Sequence, residues 1–375
     1  MASAVQHLLQ TGLSSGMSAT SGYHSSSKPQ YVPSDYDGLQ HVVNFTPECA
    51  PTYTLRGKNE NVEVPPISWG GWSWGDSATF HWSNDQLPGL QQAFKLAVTN
   101  GFTFIDTAQA YGSGRSEEIL GDLIKNHSGG VPREQLQIQT KWLPLETSIK
   151  NIIHPIDAPL RFLKESLARM QLSQIDCYLV HGHIHIGSIS QVAKGLAECV
   201  NSGLTKAVGV ANYGVKDMLQ MRDALAEHGI PLATNQCEYS ILRRHPEMEG
   251  MLEACKQNDI IFQSYSSLAQ GRLSGKYGVN NPAPKEYRFS SYPAEQIEPT
   301  LDVLRRIAGN HGVPVSAVTL NWNMMKGAIP VVGIRKVAQA EENMKAVGWR
   351  LSNEEIKQLD NVGFEGKETR LWQQG

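Results

Sequence analysis

The chain has 375 residues, 40% of them apolar and 18% charged, with a formal net charge of -3. Length permits one large α/β core, the apolar fraction is ordinary for a globular protein, and no apolar run approaches the roughly 18 residues of a membrane span. Lysine and arginine are scattered and form no basic stripe, so neither nucleic acid nor a membrane is an expected partner.

In chain order, residues 1–50 are rich in Ser, Gly, Thr and His, hold no arginine and lack the apolar core of a secretory signal, which predicts a flexible extension. Residues 51–375 are read as one domain. Acidic residues are absent before Asp35, so organelle import stays open beside the expected cytoplasmic location. The five cysteines form no Cys-x-x-Cys pair, which agrees with a reducing compartment.

From about residue 64 the chain alternates short β-branched or apolar runs with amphipathic stretches. Strands are predicted at Val64–Gly70, Phe102–Asp106, Leu136–Lys141, Ile175–His181, Ala207–Ala211, Ala233–Glu238, Ile260–Tyr265 and Ala328–Val332. Helices are predicted at Leu87–Asn100, Ser116–Asn126, Ala158–Met170, Ser190–Asn201, Val215–Glu227, Pro246–Asn258, a long stretch from Glu295 to Met325, and Val337–Val347. Gly101, Gly203 and Gly229 stand where left-handed caps end helices. Gly275–Tyr292 reads as a long functional loop, and Ser352 with Glu355 forms a capping box for a last helix, Asn353–Asn361. Strand and helix in eight alternations predict an α/β protein with a closed (β/α)8 TIM barrel.

Reacting groups of such barrels sit at the C-terminal ends of strands. Asp106 and Tyr111 lie in the run from Gly101 to Gly112, Asp106 closing the second strand and Tyr111 in the loop after it, Lys141 closes the third strand, and His181 closes the fourth. This pattern resembles the aldo-keto reductase family. The resemblance implies NADPH-dependent reduction of an aldehyde or ketone to an alcohol. Lys141, paired with Asp106, would acidify the phenol of Tyr111 as proton donor, and His181 would hydrogen-bond the substrate oxygen or help relay the proton.

The resemblance runs from about Ile67 to Leu359. The segment Ile67–Gly75 looks like the family's first strand and loop, which implies Trp72 and Trp74 at the substrate mouth; Trp142 and His183 are further expected pocket residues. Val208–Tyr213 and Asn235–Ser240 resemble the segments that hold the nicotinamide carboxamide, implying Asn212 and Gln236. Ser264–Tyr277 is similar to the loop that stacks an aromatic ring on nicotinamide and wraps the pyrophosphate. That implies Tyr265, with Ser266, Leu268, Gly271 and Lys276 along the phosphates. Ile329–Asn343 resembles the last strand and helix start, implying Gly333, Arg335, Gln339, Glu342 and Asn343 around the adenosine. Arg335 and Lys336 near a helix N-terminus favour a 2′-phosphate, hence NADPH over NADH. Two departures stand out: Ala211 replaces the usual Ser, and His181-Gly182-His183 replaces His-Trp-Pro, which alters the pocket wall.

Two rivals compete with this reading. His181, His183 and His185 alternate and would share one face of an extended strand, as in a zinc hydrolase, but Gly182 and Gly187 argue that the strand has ended, and no metal is expected. A cofactor-binding regulatory module without turnover is the other, because fold does not fix function. The tryptophans near the strand ends point to a bulky, partly apolar small-molecule carbonyl substrate, and the chain is expected to act as a monomer or small homo-oligomer.

Overall fold

Tyr53–Leu55 (β1) and Val62–Val64 (β2) pair as an antiparallel hairpin ahead of the main sheet in the computed structural model, which describes residues 52–144, 156–282 and 292–366. The expected extension at residues 1–50 lies outside the described residues, as do positions 283–291 of the loop from Gly275 to Tyr292. The first predicted strand therefore needs correcting. Val64 belongs to the hairpin, and Pro65 and Pro66, which lack an N–H for a ladder, separate it from the true first barrel strand, Ser68–Gly70 (β3).

The remaining strands are Phe104–Asp106 (β4), Gln137–Trp142 (β5), Ile175–Val180 (β6), Thr205–Ala211 (β7), Leu232–Glu238 (β8), Ile261–Tyr265 (β9) and Ala328–Gly333 (β10). They close in the order β10-β3-β4-β5-β6-β7-β8-β9. Every pairing in the barrel is parallel. This is the (β/α)8 barrel that the alternation predicts.

Helices cover the outside. They are Ser77–Phe80 (α1), Leu87–Thr99 (α2), Arg115–Asn126 (α3), Ala158–Met170 (α4), Ile189–Asn201 (α5), Val215–Ala226 (α6), His245–Met248 (α7), Met251–Gln257 (α8), Ala294–His311 (α9), Val315–Met325 (α10), Val337–Met344 (α11) and Asn353–Asn361 (α12). In α2 the buried residues Leu90, Ala93, Phe94, Ala97 and Val98 repeat at helical spacing, so one stripe seals against the barrel. Each fully buried Leu or Phe of this kind contributes about 1.5–3 kcal/mol. Two predicted helices are each split in two. Gly250, at φ +76°, separates α7 from α8, while Gly312, at φ +64°, and Pro314 separate α9 from α10. The capping box of α12 forms as expected, with Ser352 and Glu355 bonded reciprocally.

The barrel interior is layered. Its lower end is apolar, filled by Phe104, Cys177, Leu179, Ala207, Ala233 and Ile329, and the hairpin presses Leu55, Val62 and Val64 against it. The hairpin loop is pinned below the barrel, where Arg56 bonds the carbonyl of Asn258 and Lys58 reaches Asn201. Above the apolar floor lie buried glutamines and then the Asp106–Lys141 pair. Sealing one end in this way leaves the C-terminal ends of the strands as the open face, where chemistry can meet a ligand. Among the described residues, no helix is long and apolar enough to cross a membrane.

Candidate active site

Strand pairing sets the site's geometry before any side chain is considered. Asp106 ends β4, Lys141 lies next to last in β5, and β4 and β5 are adjacent, so the two side chains share the mouth of the barrel. Their ion pair closes at 2.6 Å and is almost completely buried. Lys141 Nζ also donates to the carbonyl of Thr107 at 3.0 Å and to Tyr111 Oη at 3.2 Å. An ammonium has three N–H groups and no acceptor. All three are thereby spent, and Tyr111 Oη must be the acceptor in its bond to Lys141. The phenol hydrogen is left to point elsewhere, and Tyr111 lines a cavity of about 760 Å³.

His181 follows β6, and its ring meets Tyr111 edge-on at 5.5 Å between centroids. Trp72 also meets the phenol ring, at 6.2 Å between centroids, and packs edge-to-face on Phe80 at 5.1 Å. Burial, reinforced by the charge of Lys141, holds the imidazole of His181 well below its ordinary value of 6.5. It is therefore neutral near pH 7 and can donate or accept one hydrogen bond without carrying a charge.

The expected acidification of Tyr111 is corrected by the structure. Burial pushes the phenol well above its ordinary value, and the nearby Asp106 carboxylate pushes the same way. Burial also lowers Lys141, against the opposing pull of Asp106. The reason is that the ammonium does not act alone: its carboxylate partner lies at 2.6 Å and offsets its field at the phenol. The phenol therefore keeps its proton near neutral pH.

Around this centre the loops are tied down. Ser116 Oγ bonds the carbonyl of Gly71 and the hydroxyl of Thr107, each at 2.8 Å, so the start of α3 holds the loops after β3 and β4 together. Glu117, fully buried, accepts from Thr140 Oγ1 and from Arg169 Nε, both at 2.6 Å. Gly112, at φ +55°, lies so close to Gly75 that an added Cβ would sit 2.9 Å from its backbone. Only glycine lets the loop carrying Tyr111 approach the loop carrying Trp72 in this way.

Every expected cofactor residue, from Asn212 and Gln236 through Tyr265, Ser266, Leu268, Gly271 and Lys276 to Gly333, Arg335, Gln339, Glu342 and Asn343, lines the same cavity as Tyr111 and His181. Tyr265 Oη donates to Asn212 Oδ1 at 2.8 Å, which fixes that amide. Asn212 and Ser266 take left-handed backbone angles, φ +60° and +54°, conformations that cost energy and gather at ligand sites. Arg335 donates to the carbonyl of Phe80 at 3.2 Å and so tethers the loop after β3 across the groove.

Three expected pocket residues are not in the cavity wall. Trp74 is fully buried, and its indole N–H donates to the carbonyl of Ile334 at 2.8 Å, so it is a core residue and not part of the mouth. Trp142 is buried and stacks on Phe162, while His183 sits in the loop after β6 beside the lining residues. Strand β6 ends at Val180, so the alternation needed to align His181, His183 and His185 is absent. Among the described residues no group of three His, Cys, Asp or Glu side chains could hold a metal.

The sequence reasoning missed Asp76, Phe80, Gln139, Gln263 and Ser316. Ser316 is buried at the start of α10, lines the cavity, and its hydroxyl has no partner among the described residues. A proline opening a helix, as Pro314 does here, was the available signal for that position. An unsatisfied buried hydroxyl in the first turn of a helix, with Lys276 on the same wall, fits a diphosphate anion.

The chain matches the model of the Aldo/keto reductase family over residues 66–363. It is 31% identical over 353 residues to pyridoxal reductase, chloroplastic, of Arabidopsis thaliana, an alignment covering 89% of this chain and 93% of that protein. It is 28% identical to L-glyceraldehyde 3-phosphate reductase of Escherichia coli O157:H7, covering 86% of this chain and 94% of that one. Among solved structures, a thermostable aldo-keto reductase in complex with the inhibitor epalrestat superposes with a TM-score of 0.66 at 28% identity, covering 83% of this chain and 99% of that one.

Proposed function

The chain belongs to the aldo/keto reductase family, whose members are NAD(P)H-dependent oxidoreductases, and from that premise we propose that it reduces a flat aromatic aldehyde with NADPH, Tyr111 giving the proton. The observation that carries this reading is the single cavity shared by Tyr111, His181 and all the expected cofactor residues. When bound, the reduced nicotinamide supplies the hydride. Asn212 and Gln236 would hold its carboxamide, Tyr265 its ring, Ser316 and Lys276 the diphosphate, and Arg335 with Lys336 the 2′-phosphate.

This chain's own residues then account for the oxygen end of the reaction. The neutral imidazole of His181 and the phenol of Tyr111 would both hydrogen-bond the carbonyl oxygen and polarise it. As the carbon is reduced, that oxygen becomes an alkoxide, a far stronger base than a phenolate. It takes the Tyr111 proton even though burial has raised the phenol. Lys141 already donates to Oη and stabilises the phenolate left behind, and Asp106 keeps the ammonium in place.

An aromatic substrate is supported by the rings around the phenol. Trp72 and Phe80, packed edge-to-face on one another, both line the cavity beside Tyr111 and offer aromatic surface to a flat ring, and aromatic pairs contribute about 0.5–1.5 kcal/mol each beyond buried area. Among the described residues the cationic lining residues are Lys276, Arg335 and Lys336, all assigned above to the cofactor, so none of these is left for a sugar phosphate. The pyridoxal-reducing relative makes pyridoxal the first probe.

Oxidation of NADPH by the purified full chain, followed by its absorbance with pyridoxal, other aromatic aldehydes and glyceraldehyde 3-phosphate, tests this reading. It predicts kcat/KM at least about tenfold higher for the aromatic aldehydes. Preference for the sugar phosphate would overturn the substrate class. NADPH binding without turnover of any aldehyde would make the chain a regulatory module. The chloroplastic relative and the expected cytoplasmic location differ, and imaging a fusion of the full chain in its native cell decides between them.

A further inference from the structure

Below the Asp106–Lys141 pair, a layer of three buried glutamines spans the inside of the barrel. Gln139 on β5 and Gln263 on β9 face one another and exchange two amide hydrogen bonds, each 2.9 Å. Gln139 Nε2 also donates to Asp106 Oδ1 at 2.6 Å. Gln236 Nε2, on β8, donates to the same Asp106 Oδ1 at 3.1 Å and to Gln263 Oε1 at 3.0 Å. Gln263 Nε2 donates further to Thr234 Oγ1 at 3.0 Å, and that hydroxyl passes its hydrogen to the carbonyl of Ile261 at 2.6 Å. None of these side chains is more than 2% exposed.

The donor inventory makes the network directional. Each amide nitrogen has two hydrogens, and in all three glutamines both are used within the layer. Turning the Gln236 amide over would set its oxygen against the Asp106 carboxylate and Gln263 Oε1, placing acceptors against an acceptor with no hydrogen between them. With Nε2 turned inward, Gln236 has only Oε1 left to present to the cavity it lines. The same layer supplies two N–H donors to Asp106 Oδ1, leaving Oδ2 to Lys141.

We propose that Gln263, with Gln139, is a positioning residue that locks Gln236 as an outward acceptor for the ligand's carboxamide N–H and sets the Asp106 carboxylate under Lys141. One network then serves both the cofactor end and the proton-donor end of the site. This rests on the reading that the cavity takes a nicotinamide cofactor. A merely structural layer would couple to Gln236 in stability, but the effect of Gln263 on NADPH affinity would not depend on Gln236.

The test is a double-mutant cycle with Gln263→Met and Gln236→Met, measuring the NADPH dissociation constant, kcat and KM, with folding checked by circular dichroism and melting. Gln263→Met is expected to weaken NADPH about tenfold and lower kcat about tenfold, while in the Gln236→Met background its effect on NADPH shrinks below about twofold. An equal loss of NADPH affinity in both backgrounds, or no loss at all, would overturn the proposal. If Gln263→Met does not fold, Gln139→Met takes its place in the cycle, and failure of both to fold would mark the layer as structural only. Wild-type protein that neither binds NADPH nor turns over an aldehyde defeats the functional reading itself. An active wild type with unchanged variants defeats only the positioning role.

Discussion

Lys141 and Tyr111 are joined by a 3.2 Å hydrogen bond in which the ammonium is the donor, so the phenol's own hydrogen is free for a ligand. Replacing Lys141 with Met keeps the stem and removes both the donor and the charge. The variant should lose about 10²–10⁴-fold in kcat, the range of a positioned proton-transfer group. It should also lose about 3–5 kcal/mol of stability, because Asp106 is left buried without its cation. Steady-state kinetics and denaturant melts check the two together; near-normal kcat in a folded variant would contradict the role given to the ammonium.

Neutral His181 has a consequence for the pH profile. Its folded value lies well below 6.5, so the imidazole stays uncharged as pH falls through 6.5. We expect kcat/KM to be level across that point, with the acid limb displaced to lower pH. An acid limb centred near 6.5 that is lost in His181→Gln would show an ordinary histidine.

Arg335 combines two tasks, tethering the carbonyl of Phe80 and lining the adenosine end of the cavity. Arg335→Ala should weaken NADPH by about 1.5–3 kcal/mol, the range of a charged hydrogen bond, and NADH by much less. Titration by protein fluorescence with both cofactors gives the comparison. Equal losses would mean that Arg335 acts only through the tether.

Acid stability should depend on Glu247. Burial raises its carboxyl, but Lys326 at 2.8 Å and Arg244 at 2.9 Å outweigh burial and hold it below its ordinary 4.5. A depressed folded value means the stabilisation is full above about 4.5 and is lost as pH falls through the folded value. Melting temperature should therefore drop on acidification below about 4.5, and Glu247→Gln should be less stable at neutral pH but flatter in that window. Parallel pH curves for the two proteins would contradict this.

How far the chain could be read before its coordinates follows from what kind of information each feature carries. The barrel strands from β4 onward were legible to within about two residues, because glycine caps and helical periodicity bound them locally. The hairpin was not, although Val62, Glu63 and Val64 alternate, because two short strands carry little signal without knowing what they cover. Trp74 was misread as a mouth residue since spacing near a strand end does not say which side of a loop faces solvent. Gln139 and Gln263 were invisible for a different reason: they lie 124 residues apart, and a lone glutamine in a strand gives no hint of a buried partner.

The most direct test of the whole account is Tyr111→Phe, which deletes one hydroxyl and keeps the ring that meets Trp72 and His181. Aldehyde reduction and NADPH affinity are measured on the same preparation. The account predicts that reduction falls by at least about 10²-fold while NADPH affinity stays within about twofold. Reduction at the wild-type rate would contradict it.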